Sequence, residues 1–132
     1  MTSYGFEAGN VIQEFGYDDD VAGEIREDIE KATGESLVDE DYQGIVDGAL
    51  AWWRADDGDA DDLADLLIDM KANFDSEHAV AWLLVPAPRQ PGYVPHTVIE
   101  EAATTAGMQA TTSQAISDDW TGVRLAAMGL RA

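Results

Sequence analysis

The sequence predicts a single α/β domain over residues 1–132, a three-layer sandwich with a mostly parallel sheet, helices on both faces and a C-terminal antiparallel strand pair. Three observations predict it. Ala79 to Val85 is an unbroken apolar run stopped by Pro86, the pattern of a strand covered on both faces. Leu63, Leu66, Leu67, Met70 and Phe74 recur at helical spacing, with Asp62, Asp65, Asp69 and Lys71 off that stripe. Short apolar segments alternate with periodic ones between Gly, Pro and Asp punctuation, which is the order of successive βα units.

The elements follow in order. Val11 to Phe15 reads as a short strand stopped by Gly16, and Asp18, Asp19 and Asp20 stand where carboxylates suit a helix N-terminus. Val21, Ile25 and Ile29 lie four apart, which predicts a helix over about residues 20–33 closed at Gly34. Ser36-Leu37-Val38 reads as a second short strand. From Tyr42 to Trp53 the signals conflict: an apolar helical face competes with Gly44, Gly48 and the Trp52-Trp53 pair. A helical or turn segment leading into a buried strand over roughly 47–53 is expected there. Asp56-Asp57-Gly58-Asp59 is a turn ahead of the amphipathic helix. Beyond the apolar run, Pro86, Pro88, Pro91 and Gly92 form a stiff loop. Thr97 and Glu100 then fit a capping box for a helix to about Ala106, ended by Gly107. Met108 to Ser113 and Val123 to Met128 are the last strands, joined through Asp118 to Gly122.

Composition limits function. The formal charge is -20, from 27 acidic and 7 basic side chains, and 45% of residues are hydrophobic. A chain of this length buries roughly two thirds of its unfolded surface, so it folds despite its charge. The charge is uneven: residues 1–78 hold 23 acidic and 4 basic side chains, and residues 79–132 hold 4 and 3. Such a surface repels phosphate backbones and anionic lipid, so direct nucleic-acid and membrane binding are not expected. No apolar stretch long enough to span a bilayer and no signal-peptide pattern is visible, which makes the cytoplasm the expected compartment. The absence of cysteine removes disulfides and thiolate chemistry.

Few motifs carry chemistry. Asp57, Asp59 and Asp61 match the start of an EF-hand loop, but Asp62 stands where glycine is needed and Ile68 where a bidentate Glu is needed. A helix-start turn is the better reading. His78 and His96 lie in no metal-ligand spacing, and no serine sits in a Gly-x-Ser-x-Gly elbow, so neither a metal nor a catalytic residue is assigned. His96 reads as the opening of a helix. Ligands of open α/β sheets bind beyond the carboxyl ends of the strands. That rim would carry Gly16, Asp18, Asp19, Asp20, Asp39, Asp41, Asp56, Asp57 and Arg89 as candidate ligand or partner residues. Trp120, with Arg124 nearby, either closes an edge of the core or anchors an interface.

Several segments also resemble a known family. Gly5-Phe6, Gly9, Glu14, Gly16-Tyr17, Val38 to Tyr42, Trp52-Trp53-Arg54, Asp57-Gly58-Asp59, Trp82-Leu83-Leu84, Pro91-Gly92 and Asp119 to Leu125 are similar to an actinobacterial domain-of-unknown-function family of small acidic proteins. The likeness covers nearly the whole chain. More distant members look like a shortened class I methyltransferase sheet without a recognisable cofactor motif. The resemblance implies that strand order and the final antiparallel pair, and it supplies no catalytic residues.

Together these readings predict a non-catalytic interaction or regulatory protein without a cofactor, engaging a basic protein partner through its acidic rim. One alternative is a small enzyme or sensor binding S-adenosylmethionine or a related nucleoside at the Gly16 and Asp39 rim. Another is a nucleic-acid mimic, which requires carboxylates spaced along one continuous face.

Overall fold

A computed structural model describes residues 4–74 and 79–127. Its order is β1 (Ile12–Phe15), α1 (Gly23–Thr33), β2 (Gly48–Trp52), a 3-10 turn (Ala55–Asp57), α2 (Ala60–Ala72), β3 (Val80–Pro86), α3 (His96–Thr105), β4 (Met108–Ala115) and β5 (Trp120–Ala127). The five strands form one sheet in the order β1-β2-β3-β5-β4. β1, β2 and β3 are parallel, whereas β5 runs antiparallel to both β3 and β4. Ser3, Ser76, His78 and Met128 lie outside the described residues.

Alternation along the strands divides the core between two faces. Ala49, Ala51, Ala81, Leu83, Val85, Val123 and Leu125 meet α2 and α3 on one face. Ile12, Leu50, Trp52, Trp82, Leu84 and Trp120 meet α1 and the N-terminal segment on the other. The two faces are filled differently. Alanines on β2 and β3 let two helices close on the first face. Three tryptophans supply the volume on the second, where one helix and residues 4–6 form the cover. Trp82 donates through Nε1 to the Tyr4 carbonyl at 2.8 Å, and the Tyr4 ring packs edge-on against it at 5.5 Å. Those two contacts fasten the N-terminal segment across the sheet.

Five sequence expectations need correction. The first helix starts at Gly23 with Ala22 as its N-cap and no side-chain cap, so Asp18 to Asp20 stay in the preceding loop. The expected strand at residues 36–38 is a single parallel bridge from Val38 to Gln13, flanked by backbone bonds to Ile12 and Glu14. Pro95 rather than Thr97 caps α3 and leaves His96 as its first residue, because the fixed proline φ of -58° already suits the start of a helix. Glu100 pairs with His96 at 3.1 Å and closes no capping box. The last strand begins at Trp120 instead of Val123, since Ile116 and Ser117 turn the chain tightly by donating to the Trp120 carbonyl. The segment after Tyr42 is a loop without a helical turn, ending at β2.

Candidate functional site

The chain leaves β1, forms the Val38 bridge on one side of it, and returns as β2 on the other side. The carboxyl ends of β1 and β2 therefore flank the point where the strand order reverses, the usual ligand crevice of an open sheet. Here a side chain fills it. Arg54, two residues past β2, donates from Nη1 to the Gly16 carbonyl at 2.9 Å and to the Trp52 carbonyl at 3.2 Å. Its Nε and Nη2 hold both carboxylate oxygens of Asp20, and Nη1 also reaches Asp57 at 3.4 Å. The guanidinium lies 5.6 Å from the centre of the Trp120 ring, which stands edge-on to Trp52 at 4.9 Å.

Local backbone makes this latch possible. Gly16 has φ +73°, and a Cβ there would lie 2.3 Å from the Trp52 carbonyl oxygen, so only glycine lets the turn after β1 touch the end of β2. Glu40 accepts the Gly16 N–H at 3.2 Å from the other side. The hydrogen bond from Arg54 holds the Asp20 carboxyl below its ordinary pKa. Burial alone would lower the Arg54 pKa, but the bonds and charges of Asp20 and Asp57 raise it above its ordinary value. The site is a charge-satisfied plug.

One layer deeper, Glu14 is buried on β1 with both oxygens in use. Oε2 accepts from Arg26 Nε at 2.8 Å and from Trp52 Nε1 at 2.9 Å, and Oε1 accepts from Arg26 Nη2 at 3.0 Å. The bond to Glu14 raises the Arg26 pKa. A carboxylate with both oxygens engaged in this way clamps α1 to the sheet.

The structure brings Gly16, Asp20 and Asp57 together through Arg54. Asp18 and Asp19 are exposed in the same loop, and Asp39 accepts the Asp41 N–H at 3.0 Å in the loop beyond Val38. Asp56 is exposed in the 3-10 turn, and Arg89 is exposed in the turn after β3. Trp120 is 5% exposed and closes the core edge, so it is no projecting anchor; Arg124 lies on the same face beside Gly5. Sequence reasoning missed Arg54 and Glu14. An arginine directly after a buried strand and a glutamate inside an apolar strand were the available signals. The exposed carboxylates stand on α1 over one face, on α2 over the other, and in the rim loops.

Two clefts border this acidic end. One of about 490 Å³ lies between the start of α1 and the β4–β5 turn and is lined by Tyr4, Glu24, Asp28, Asp118 and Asp119 among others. The second, about 700 Å³, lies against the other face between the residue 40–43 loop and α2, with Gln13, Glu40, Asp41 and Asp69 on its wall.

A family model described as "Protein of unknown function (DUF3052)" matches residues 1–129. The chain belongs to this family. Uncharacterised proteins of Mycobacterium tuberculosis and Mycobacterium bovis are each 40% identical over 121 residues, covering 92% of this chain and 73% of theirs. Among solved structures, the DUF3052 chain is similar to the O-methyltransferase NcsB1 of neocarzinostatin biosynthesis in complex with S-adenosylmethionine, with a TM-score of 0.67 at 11% identity. That match covers 91% of this chain and 49% of NcsB1. A putative methyltransferase from Thermoplasma acidophilum matches at a TM-score of 0.59 and 10% identity, over 96% of this chain and 71% of that one. The chain thus spans about half the length of several methyltransferases it resembles. The fold is methyltransferase-like. No helix among the described residues is long and apolar enough to cross a membrane.

Proposed function

We propose that this DUF3052 protein is a non-catalytic, cytoplasmic interaction or regulatory protein that engages a basic protein partner through its acidic rim. The observation that carries the reading is the Arg54 latch. It fills the crevice between β1 and β2 with a guanidinium already bound to Asp20, Asp57 and two backbone carbonyls. Four of the remaining rim carboxylates, Asp18, Asp19, Asp39 and Asp41, are exposed and face solvent, where they steer a cationic surface toward the protein. Neutralising these four together as asparagines should weaken capture of the partner while leaving the melting temperature close to wild type. Equal capture by both proteins contradicts the proposal.

Binding of S-adenosylmethionine or a related nucleoside is the second reading, favoured by the likeness to NcsB1, a methyltransferase whose structure holds that cofactor. The residues here fit it poorly. The turn after β1 offers Gly16 followed by Tyr17 and three aspartates, and Arg54 occupies the space beside it. A thermal-shift titration with S-adenosylmethionine should leave the melting temperature unchanged. A saturable rise would replace the interaction reading with the nucleoside one.

A further inference from the structure

The cleft between α1 and the β4–β5 turn is lined by a residue whose polar group the fold leaves unsatisfied. Tyr4 is 5% exposed, and its hydroxyl has no hydrogen-bond partner among the described residues. A buried hydroxyl without a partner is costly, and a water, an ion or a ligand donor would satisfy it. Tyr4 lines the cleft together with Glu24 and Asp28 from α1 and Asp118 and Asp119 from the turn. Burial, with the nearby charges of Asp28 and Glu24, raises the Tyr4 pKa from 10.0 to about 12, so the group is a neutral phenol at physiological pH. A neutral phenol oxygen accepts hydrogen bonds, and the carboxylates above it offer further acceptors and negative charge.

We infer that this cleft receives the alkylammonium or guanidinium group of a lysine or arginine side chain from the basic partner. The inference rests on the proposed interaction role and names where one side chain of that partner is held. A multi-donor organic cation suits the lining better than a bare metal ion. No group of three or more His, Cys, Asp or Glu placed to hold a metal occurs among the described residues. The carboxylates instead surround a space of about 490 Å³, large enough for the end of a long side chain. Asp119 is partly engaged, since its Oδ1 accepts from Gln90 Nε2 at 2.9 Å, which fixes that wall of the cleft.

The test is a ¹H–¹⁵N NMR titration of the full chain with N-acetyl-lysine amide, N-acetyl-arginine amide and, separately, spermidine. Saturable shifts of the amides of Ile25, Asp28, Ser117 and Asp118 are expected with one or both amino-acid amides. Tyr4→Phe keeps the ring packing and removes only the hydroxyl. It should weaken this binding about tenfold with no loss of melting temperature, in line with a lost hydrogen bond to a charged group. Asp28→Asn, an exposed change, should weaken it as well. Shifts spread evenly over all acidic elements, or wild-type binding by both variants, would overturn the assignment. Shifts in the cleft with spermidine alone would overturn it in favour of a free polyamine. Partner capture that survives in Tyr4→Phe without cleft shifts overturns the cleft and leaves the acidic-rim reading standing. Failure of the wild-type protein to capture a partner overturns the rim reading itself.

Discussion

Gly16 and Arg54 are the two residues on which the rim depends. Gly16→Ala places a Cβ 2.3 Å from the Trp52 carbonyl oxygen at a left-handed φ, so it should cost about 2 to 4 kcal/mol in urea unfolding. Arg54→Met strands two backbone carbonyls and the Asp20 carboxylate, and a loss of about 2 kcal/mol is expected; the exposed half of the Asp20 side chain keeps the figure low. Titration adds two signs. The Tyr4 pKa is higher in the folded protein than the ordinary 10.0, so its contribution is complete below pH 10 and is lost as pH rises through about 12. Asp20 is depressed, so its contribution is present above the ordinary value of 3.8 and is lost as pH falls through the lowered one. Melting temperature against pH should therefore fall at both ends. Tyr4→Phe should flatten only the alkaline limb, and Asp20→Asn only the acid limb.

At the scale of elements, what the sequence made legible was burial recorded as periodicity. The stripe of Leu63, Leu67 and Met70 appears as the buried face of α2, and the apolar run from Ala81 to Val85 is a strand covered on both sides at the centre of the sheet. Capping was read less evenly. Asp59 caps α2, accepting the Asp62 N–H at 3.1 Å while the Asp62 carboxylate accepts the Asp59 N–H at 3.0 Å. Asp59→Ala should cost about 1 kcal/mol by chemical unfolding, whereas Thr97→Ala, at a position that caps nothing, should be near neutral. Residues 36–38 were too few for a period to distinguish a strand from one bridge. The start of β5 was hidden because Trp120 and Gly122 pair with β3 residues more than thirty positions earlier, Pro86 and Leu84. Such pairing leaves no local pattern.

For the whole molecule, the sequence revealed the charge and its concentration in the first 78 residues, but not what that charge surrounds. The latch joins positions 16, 20, 52, 54 and 57, and the cleft joins Tyr4 to α1 and to the β4–β5 turn. Both are products of topology. The latch fills the strand-end crevice of a methyltransferase-like fold, and carboxylates line a cleft on either side of the sheet. The electrostatic part of this account has a signature of its own, because attraction between exposed charges is screened within about 8 Å at physiological ionic strength. The decisive measurement is affinity capture from low to high salt, run beside an unrelated protein of matching net charge and repeated with the purified partner. The account predicts one basic protein held by this chain and not by the control, with affinity falling steeply as salt rises. Recovery that is the same at both salt levels, or the same on the control, would contradict it.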